Sequence, residues 1–254
     1  MMIDRSELKA FLEEKYLQYN TPDFIKDDPI QLPHLFTSKE DIEIIGFIVA
    51  TIAWGNRKSI IKSGEKLVQV LHENPYEFVM NYEGQSLDFV HRTFNSSDLS
   101  YFLLSLKNIY TKYGGLENAF GLKTGQQGIK ARIINFRNTF LELPHERRVE
   151  KHLSNPDKNS SAKRLNMFLR WMVRCEGRGV DFGLWKSVSP SELYLPLDVH
   201  TGNIGRKLGI LTRTQNDWKA VEEIQSVLKE LDPNDPVKYD FALFGLGVYQ
   251  ELEM

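Results

Sequence analysis

The chain has 254 residues, of which 41% are hydrophobic and 26% charged, a composition typical of a folded globular protein rather than a disordered one. Its 32 basic and 34 acidic residues give a formal net charge of −2, which argues against binding of nucleic acid through bulk charge alone. The one cysteine, Cys175, excludes an internal disulfide framework, a four-cysteine zinc site and a cysteine-ligated iron–sulfur cluster.

The first half of the chain has the apolar spacing of helices. Residues 5–18 form a predicted amphipathic helix, and three prolines over 22–33 indicate an extended connection. Thr37 and Glu40 have the spacing of a capping box, which predicts the start of a buried helix that ends near Gly55. Its apolar run is well short of the roughly 20 residues that span a bilayer, and no signal-peptide pattern precedes it, so we expect a cytoplasmic protein. Helical spacing continues over residues 60–71, 99–110 and 126–142.

The C-terminal third is also predicted to be helical. Residues 163–174 place five apolar side chains on one face and Arg170 and Arg174 on the outer face. Two further helices are predicted at 198–211 and 217–231, and Asp217 is the expected N-cap of the second. Alternating strand patterns are nearly absent. The sequence therefore predicts an all-α fold of about ten helices, with no clear linker between independent domains.

A polar loop over residues 155–162 leads into the helix that begins near Lys163. Taken alone, this pattern is typical of any surface loop before a buried helix. A loop that enters a helix N-terminus also directs several backbone N–H groups at one point, which suits a phosphate. The positive end of the helix dipole opposes the ammonium charge of Lys163 and so favours the neutral amine, which is the nucleophilic form.

A second segment, Leu-Asp-Val-His-Thr, contains Asp198 and His200. Asp198 follows a proline and precedes a helix, so its simplest interpretation is an N-cap aspartate. His200 is a possible metal ligand, but one Asp-x-His pair without a third ligand is a weak pattern, and we predict no metal. Gly202 and Gly205 allow close approach of another helix, but no strand precedes them, so they do not form a dinucleotide-binding fingerprint.

Together the two segments resemble the helix–hairpin–helix (HhH-GPD) DNA glycosylase superfamily, in which a hairpin is followed by a lysine and a short helix, and a later turn carries an essential aspartate. AKRLNMFLR (162–170) is similar to the helix after the hairpin, most closely to that of 8-oxoguanine glycosylase/lyases, and LDVHTGNIGRKLGI (197–210) is similar to the aspartate segment. FALFGLG (241–247) is similar to the apolar C-terminal helix. The whole chain also resembles an uncharacterised bacterial family distantly related to the glycosylases.

The resemblance implies a two-lobed helical glycosylase-like fold, a single unit with lobes of residues 1–40 plus 200–254 and of residues 41–199. It implies a base-excision repair enzyme that flips a damaged nucleotide out of double-stranded DNA. Lys163 would attack the sugar C1′, and Asp198 would stabilise the cationic sugar or accept the amine proton. Such an enzyme is a DNA glycosylase with AP lyase activity through a lysine Schiff base. Oxidised purines are the expected substrates, and no cofactor, iron–sulfur cluster or membrane is expected.

The resemblance also implies a set of DNA contacts. The predicted hairpin contacts are Lys158, Asn159, Ser160 and Ser161, and the further phosphate contacts are Arg170 and Arg174, for which a solvated helix face is an equally good explanation. The family has glycines where this chain has Asn159 and Ser161, and asparagine tolerates left-handed backbone geometry better than serine does. His200 and Trp185 are other candidates, Trp185 for stacking near the base, whereas Trp171 is expected in the core.

The charge is unevenly distributed along the sequence. Residues 145–213 carry a net charge of +6 and the remainder a net charge of −8, so the basic segment contains both candidate catalytic residues. Two other interpretations stay open. The altered hairpin suits a glycosylase-like protein that binds DNA without cutting it, and the acidic remainder suits a helical protein–protein interaction module.

Overall fold

The computed structural model describes residues 4–249. Over these residues the chain forms twelve α-helices and six short 3-10 helices without a β-strand, which confirms the all-α prediction. The α-helices are α1 (Arg5–Tyr19), α2 (Pro22–Lys26), α3 (Lys39–Ile52), α4 (Arg57–Val70), α5 (Pro75–Asn81), α6 (Ser96–Tyr113), α7 (Leu116–Ala119), α8 (Gly128–Phe140), α9 (Lys163–Val173), α10 (Val199–Lys207), α11 (Trp218–Leu231) and α12 (Tyr239–Val248). The 3-10 helices are Pro29–Gln31, Pro33–Leu35, Arg147–His152, Pro156–Lys158, Pro190–Glu192 and Pro236–Lys238. None of these helices is both long and apolar enough to span a membrane.

The chain divides into two compact units. The terminal unit contains Met1–Phe24 and Pro156–Met254, and the central unit contains Ile25–Asn155. The lobe boundaries predicted at residues 40 and 199 therefore move to 24 and 155. The reason is that the loop before α9 bonds to the start of α11, where the Trp218 N–H donates to the Asn159 carbonyl at 3.1 Å. Residues 156–199 consequently belong with the C-terminal helices.

The core of the central unit surrounds α3, which is buried on nearly every side as its apolar run predicts. Phe47 lies in an aromatic cluster, stacked on Phe102 with ring centroids 5.7 Å apart and edge-on to Phe136 at 5.2 Å. The helix begins one residue later than the capping-box pattern predicts. Ser38, not Thr37, is the N-cap, and its side chain accepts from the Asp41 N–H.

Close helix contacts in the terminal unit depend on glycines of α12. A Cβ atom added to Gly245 would lie 2.2 Å from Cδ2 of Tyr19 in α1, and one added to Gly247 would lie 2.9 Å from Cβ of His200 in α10. Because no side chain is present at these two positions, α1 and α10 both pack closely on α12. The apolar C-terminal helix is thus the centre of the terminal unit.

The segment of residues 175–193, between α9 and α10, packs on the end of α9. The Phe182 and Trp185 N–H groups donate to the Trp171 and Met172 carbonyls at 2.8 and 2.9 Å. These carbonyls belong to the last turn of α9, so they accept no hydrogen bond from within the helix. The segment therefore caps α9 and fixes the direction in which that helix ends.

Candidate active site

Lys163 and Asp198 lie close together in the terminal unit. Their Nζ and Oδ2 atoms are 4.0 Å apart, and their side chains are 28% and 21% exposed. α9 begins at Lys163 and Asp198 is the N-cap of α10, so both predicted helix starts are confirmed. The two helix starts therefore form a partly exposed ion pair from an amine and a carboxylate that are 35 residues apart in the sequence.

The two carboxylate oxygens of Asp198 have different partners. Oδ1 accepts from the Thr201 N–H at 3.0 Å, and the Asp198 N–H donates to the Thr201 hydroxyl at 2.9 Å, which completes a capping box. Oδ2 is the oxygen nearest the Lys163 amine. The Asn216 amide also donates to the Asp198 carbonyl at 2.9 Å. The N-cap interpretation is thus confirmed, and the cap orients the carboxylate toward the lysine.

The loop before α9 is attached to the N-cap of α11. Asn159 has a left-handed backbone with φ +62°, and its Nδ2 donates to Asp217 Oδ2 at 2.7 Å. Arg213, the largest influence, and Asn159 hold the pKa of Asp217 well below its ordinary value. The second left-handed residue is Ala162, with φ +49°, and not Ser161, where the glycosylase hairpin has a glycine. Ser161 instead accepts through its carbonyl from the Asn166 amide at 3.1 Å.

The predicted hairpin contacts are accessible, but the two arginines are not. Lys158 and Asn159 are exposed, and Ser160 and Ser161 are partly exposed. Arg170 and Arg174 are 4% and 0% exposed, so their placement on the outer face of α9 is wrong, and neither guanidinium is open to a phosphate. The physical reason is that α9 is buried on both faces over most of its length, and acidic side chains from other segments surround Arg170 and Arg174.

Two buried arginines and three aspartates form a network beside the site. Arg170 donates through Nη1 to Asp240 and through Nε to Asp181 Oδ1 at 3.3 Å. Arg174 donates to Asp181 Oδ2 at 2.5 Å and, through Nη2, to Asp235 Oδ2 at 2.8 Å. Burial alone would lower the pKa of Arg174, but Asp181 and Asp235 outweigh it and raise that pKa. Asp181 belongs to segment 175–193, which thereby binds both Arg170 and Arg174.

Asp240 is the charged residue of the site that sequence reasoning missed. Asp240 lies in the first turn of α12, and the residue is 5% exposed. Burial raises the pKa of Asp240 to about 6, the nearby Asp198 carboxylate adds to the rise, and Arg170 and Lys163 oppose it. The sequence feature that could have identified Asp240 is a single carboxylate inside the apolar run YDFALFGLG (239–247). A buried acid in such a run requires a cationic partner from elsewhere in the fold.

The structure places the candidate tryptophans in the core and the candidate metal ligand His200 at the surface. Trp171 is fully buried, which confirms its expected place in the core. Trp185 is 1% exposed and meets Phe168 edge-on at 5.4 Å, so its prediction as a stacking residue of an open pocket is wrong. His200 is exposed beside Asp198, with its ring 6.3 Å from that of Phe244. Over residues 4–249, no group of three or more His, Cys, Asp or Glu side chains is arranged to hold a metal ion.

Comparison with known proteins gives a family but no activity. The model of a protein family of unknown function, DUF2400, matches residues 28–249. No curated protein and no solved structure gives a significant match to the chain. Because the family match spans most of the sequence, including every residue of the site described above, the chain belongs to the DUF2400 family.

Proposed function

We propose that this protein is a DNA glycosylase with AP lyase activity, which removes an oxidised purine from double-stranded DNA on a two-lobed, helix–hairpin–helix type of fold. The observation that carries the proposal is the 4.0 Å separation of Lys163 Nζ and Asp198 Oδ2 at the starts of two helices. An amine nucleophile with a carboxylate partner is the pair that such chemistry requires. The sequence resemblance independently selects the same two residues.

The proposed reaction begins with transfer of a proton from the Lys163 ammonium to the Asp198 carboxylate. The neutral amine attacks C1′ of the flipped nucleotide, and a C–N bond forms as the glycosidic bond breaks and the base leaves with the bonding electrons and takes up a proton. The lysine nitrogen then loses a second proton, and the C1′–O4′ bond breaks as O4′ takes up a proton, so the sugar ring opens and a Schiff base forms. Loss of the C2′ proton to solvent and departure of the 3′ phosphate with the C3′–O bonding electrons, a β-elimination, then cleave the strand. The Asp198 carboxylate also stabilises positive charge on the sugar.

The loop of residues 155–162 and the start of α9 form the proposed phosphate-binding surface. Lys158 and Asn159 are exposed there, and the N-cap of α9, Ala162, supplies no side-chain acceptor to the first turn. Backbone amides at such a helix start suit a phosphate oxygen. Arg170 and Arg174 are not part of this proposal, because their guanidinium groups are buried against carboxylates.

Borohydride trapping tests the proposal. We expect the wild-type protein to form a covalent adduct with duplexes that contain an oxidised purine or an abasic site, because borohydride reduces the Schiff base irreversibly. Lys163→Ala should form none, and mass spectrometry of the wild-type adduct should locate the sugar on Lys163. Lys219→Ala is the matched control, since Lys219 is an exposed lysine in the first turn of α11, and it should trap as the wild type does.

Three results would contradict the assignment. An adduct that persists in Lys163→Ala would show that another amine is the nucleophile. Absence of any adduct or base release, together with duplex binding that falls steeply with salt, would identify a non-catalytic DNA-binding protein instead. Failure to bind duplex at low salt would favour the protein–protein interaction module.

A further inference from the structure

Two adjacent residues before α11 contact the two halves of the candidate site. The Asn216 amide donates to the main-chain carbonyl of Asp198 at 2.9 Å. The Asp217 carboxylate accepts from the Asn159 amide at 2.7 Å, and Asn159 lies four residues before Lys163. The short connection from Asn216 to Asp217 therefore joins the start of α10 to the loop that leads into α9.

The bond between Asn159 and Asp217 is part of a larger attachment. The Trp218 N–H donates to the Asn159 carbonyl at 3.1 Å. Ser160 and Asp217 form an isolated antiparallel β-bridge. Arg213 donates through Nε and Nη2 to the two carboxylate oxygens of Asp217, so that carboxylate is held from a second side. Main-chain and side-chain bonds together thus fix the loop before α9 on the start of α11.

The Asn216 side chain is itself held in place. Its Oδ1 accepts from Nη2 of Arg206 at 2.6 Å. Arg206, which belongs to α10, also donates to the main-chain carbonyls of Arg213 and Thr214 at 2.8 and 2.9 Å. The same arginine therefore fixes the connection before α11 on α10 and orients the Asn216 amide.

The first turn of α10 leaves space for the Asn216 amide because residue 202 is glycine. A Cβ atom added to Gly202 would lie 2.6 Å from Oδ1 and 3.0 Å from Nδ2 of Asn216. Alanine would be the better helix former at this position, so the contact gives the glycine a packing reason. The close approach that the sequence predicts at Gly202 is thus that of the Asn216 side chain.

We propose that Asn216 is a positioning residue of the Lys163–Asp198 pair, because it ties the start of α10 to the loop before α9 and so sets the separation of the amine and the carboxylate. The chemical consequence rests on the proposed function. The capping box with Thr201 orients the Asp198 carboxylate only within α10. A partly exposed ion pair contributes little to stability, so it does not by itself hold two helix starts together. The tie through Asn216 supplies what these two interactions lack.

Zero-length crosslinking tests the separation without substrate. A water-soluble carbodiimide activates a carboxylate, and a neighbouring amine then forms an amide bond with it as the carbodiimide leaves as a urea. We expect mass spectrometry of the wild-type protein to find Lys163 joined to Asp198, the site crosslink, because the two groups are partly exposed and 4.0 Å apart. Lys238 and Glu13, 2.7 Å apart in the same unit, supply a reference crosslink that reports folding.

Two substitutions remove the tie in different ways. In Asn216→Ala the yield of the site crosslink, relative to the reference crosslink, should fall about 2- to 10-fold, the change in population that loss of one hydrogen bond gives. Gly202→Ala should lower it similarly with Asn216 intact, since the new methyl displaces the amide while alanine favours the helix. Asn118→Ala is the matched control, because the Asn118 amide also donates to a main-chain carbonyl, that of Tyr113, at 2.9 Å. Its site crosslink should match the wild type.

Borohydride trapping connects the separation to the proposed activity. In Asn216→Ala the trapping rate at saturating duplex should fall by a similar factor, because the carboxylate is no longer held beside the amine. The duplex concentration that gives half the maximal rate should stay unchanged, since Asn216 acts through Asp198 and not on the DNA. A general loss of structure would change both quantities.

The crosslinking result stands apart from the proposed function. An unchanged site crosslink in both variants, its absence in the wild type, or an equal fall in Asn118→Ala would overturn the role of Asn216 even if trapping succeeds. A weaker site crosslink in Asn216→Ala and Gly202→Ala, without any DNA adduct in the wild type, would reject only the glycosylase activity. A fall in the reference crosslink would identify a variant that does not fold, and the other variant then decides the result.

Discussion

At the scale of single residues, Asp198 combines a structural role with a proposed chemical one. One oxygen caps α10 through the Thr201 N–H, and the other lies 4.0 Å from the Lys163 amine. Asparagine is as good an N-cap as aspartate, because its side-chain oxygen accepts the same hydrogen bond. A neutral amide, however, neither accepts the lysine proton nor stabilises a cationic sugar. The two roles are therefore separable by a single substitution.

We expect Asp198→Asn to leave stability nearly unchanged and to lower the trapping rate by at least about 100-fold, the usual contribution of a positioned acid or base. Urea denaturation and borohydride trapping measure the two effects. Asp4→Asn is the control, since Asp4 is the N-cap aspartate of α1 and accepts from the Ser6 N–H in the same way. Full trapping activity in Asp198→Asn would remove the carboxylate from the proposed mechanism. A large loss of stability would instead show that the cap needs the charge.

At the scale of helices, the starts of α9 and α10 could be predicted from the sequence, but the buried environment of α9 could not. Lys163 and Asp198 follow local turn and capping patterns, which a short window of sequence contains. The carboxylate partners of Arg170 and Arg174 come from Asp181, Asp235 and Asp240, up to 70 residues away, so the pattern placed both arginines in solvent. Whether a charged side chain is buried depends on such distant partners, and the spacing of apolar residues within one helix carries no information about them.

The loop before α9 was predictable only in part. Asparagine is one of the few residues that adopt left-handed geometry readily, and Asn159 does so with φ +62°. Ala162 has the same geometry at φ +49°, although alanine rarely adopts it, and the expected position was Ser161. The bonds from Asn159 to Asp217 and from Trp218 to Asn159 fix this loop from 58 or more residues away. Tertiary contact therefore determines the backbone of the loop as much as local sequence does.

The contact between α1 and α12 gives a prediction at the same scale. In Gly245→Ala the new methyl group would meet three ring atoms of Tyr19, the nearest at 2.2 Å, and that ring is stacked on Tyr249 with centroids 5.5 Å apart. A rigid aromatic ring cannot fold away as the end of a flexible side chain can, so we expect the helices to separate. We expect a loss of about 1–3 kcal/mol in the free energy of unfolding, measured by urea denaturation.

Gly64→Ala is the matched control for this substitution. Gly64 is also a glycine within a helix, α4, and its added methyl would meet a terminal methyl of Leu32 at 2.0 Å. The end of a leucine side chain can rotate away, and alanine favours a helix over glycine by roughly 1 kcal/mol, so the net change should be small. If both variants lost the same stability, the close approach of α1 to α12 would not be the cause.

At the scale of the whole molecule, net charge along the sequence differs from charge at the surface. The basic excess of residues 145–213 includes Arg170 and Arg174, which are buried against Asp235 and Asp240 from outside that segment. Two of its basic side chains therefore add nothing to an anion-binding surface. The overall charge of −2 still does not exclude DNA, because Lys158 and Lys163 remain accessible where the proposed phosphate contact lies.

The two units differ in how the chain builds them. The central unit is one continuous segment, Ile25–Asn155, with its own aromatic core around Phe47. The terminal unit needs two separate pieces, because α1 from the N-terminus packs on α12 near the C-terminus. The central unit should therefore form a cooperative fold from local segments alone, whereas residues 156–254 lack the helix that covers Gly245.

We expect a fragment of residues 25–155 to be helical by circular dichroism and to unfold in one cooperative urea transition. A fragment of residues 156–254 should be less helical and should unfold over a broad range, since it exposes the apolar surface of α12 on which α1 packs. Addition of a peptide of residues 1–24 should restore helical signal and a sharper transition to that fragment, because the peptide supplies α1. A peptide with Leu8→Asp and Leu12→Asp, which places charge at two fully buried positions of α1, is the control and should restore neither. A non-cooperative central fragment, or rescue by the charged peptide, would contradict this account of the two units.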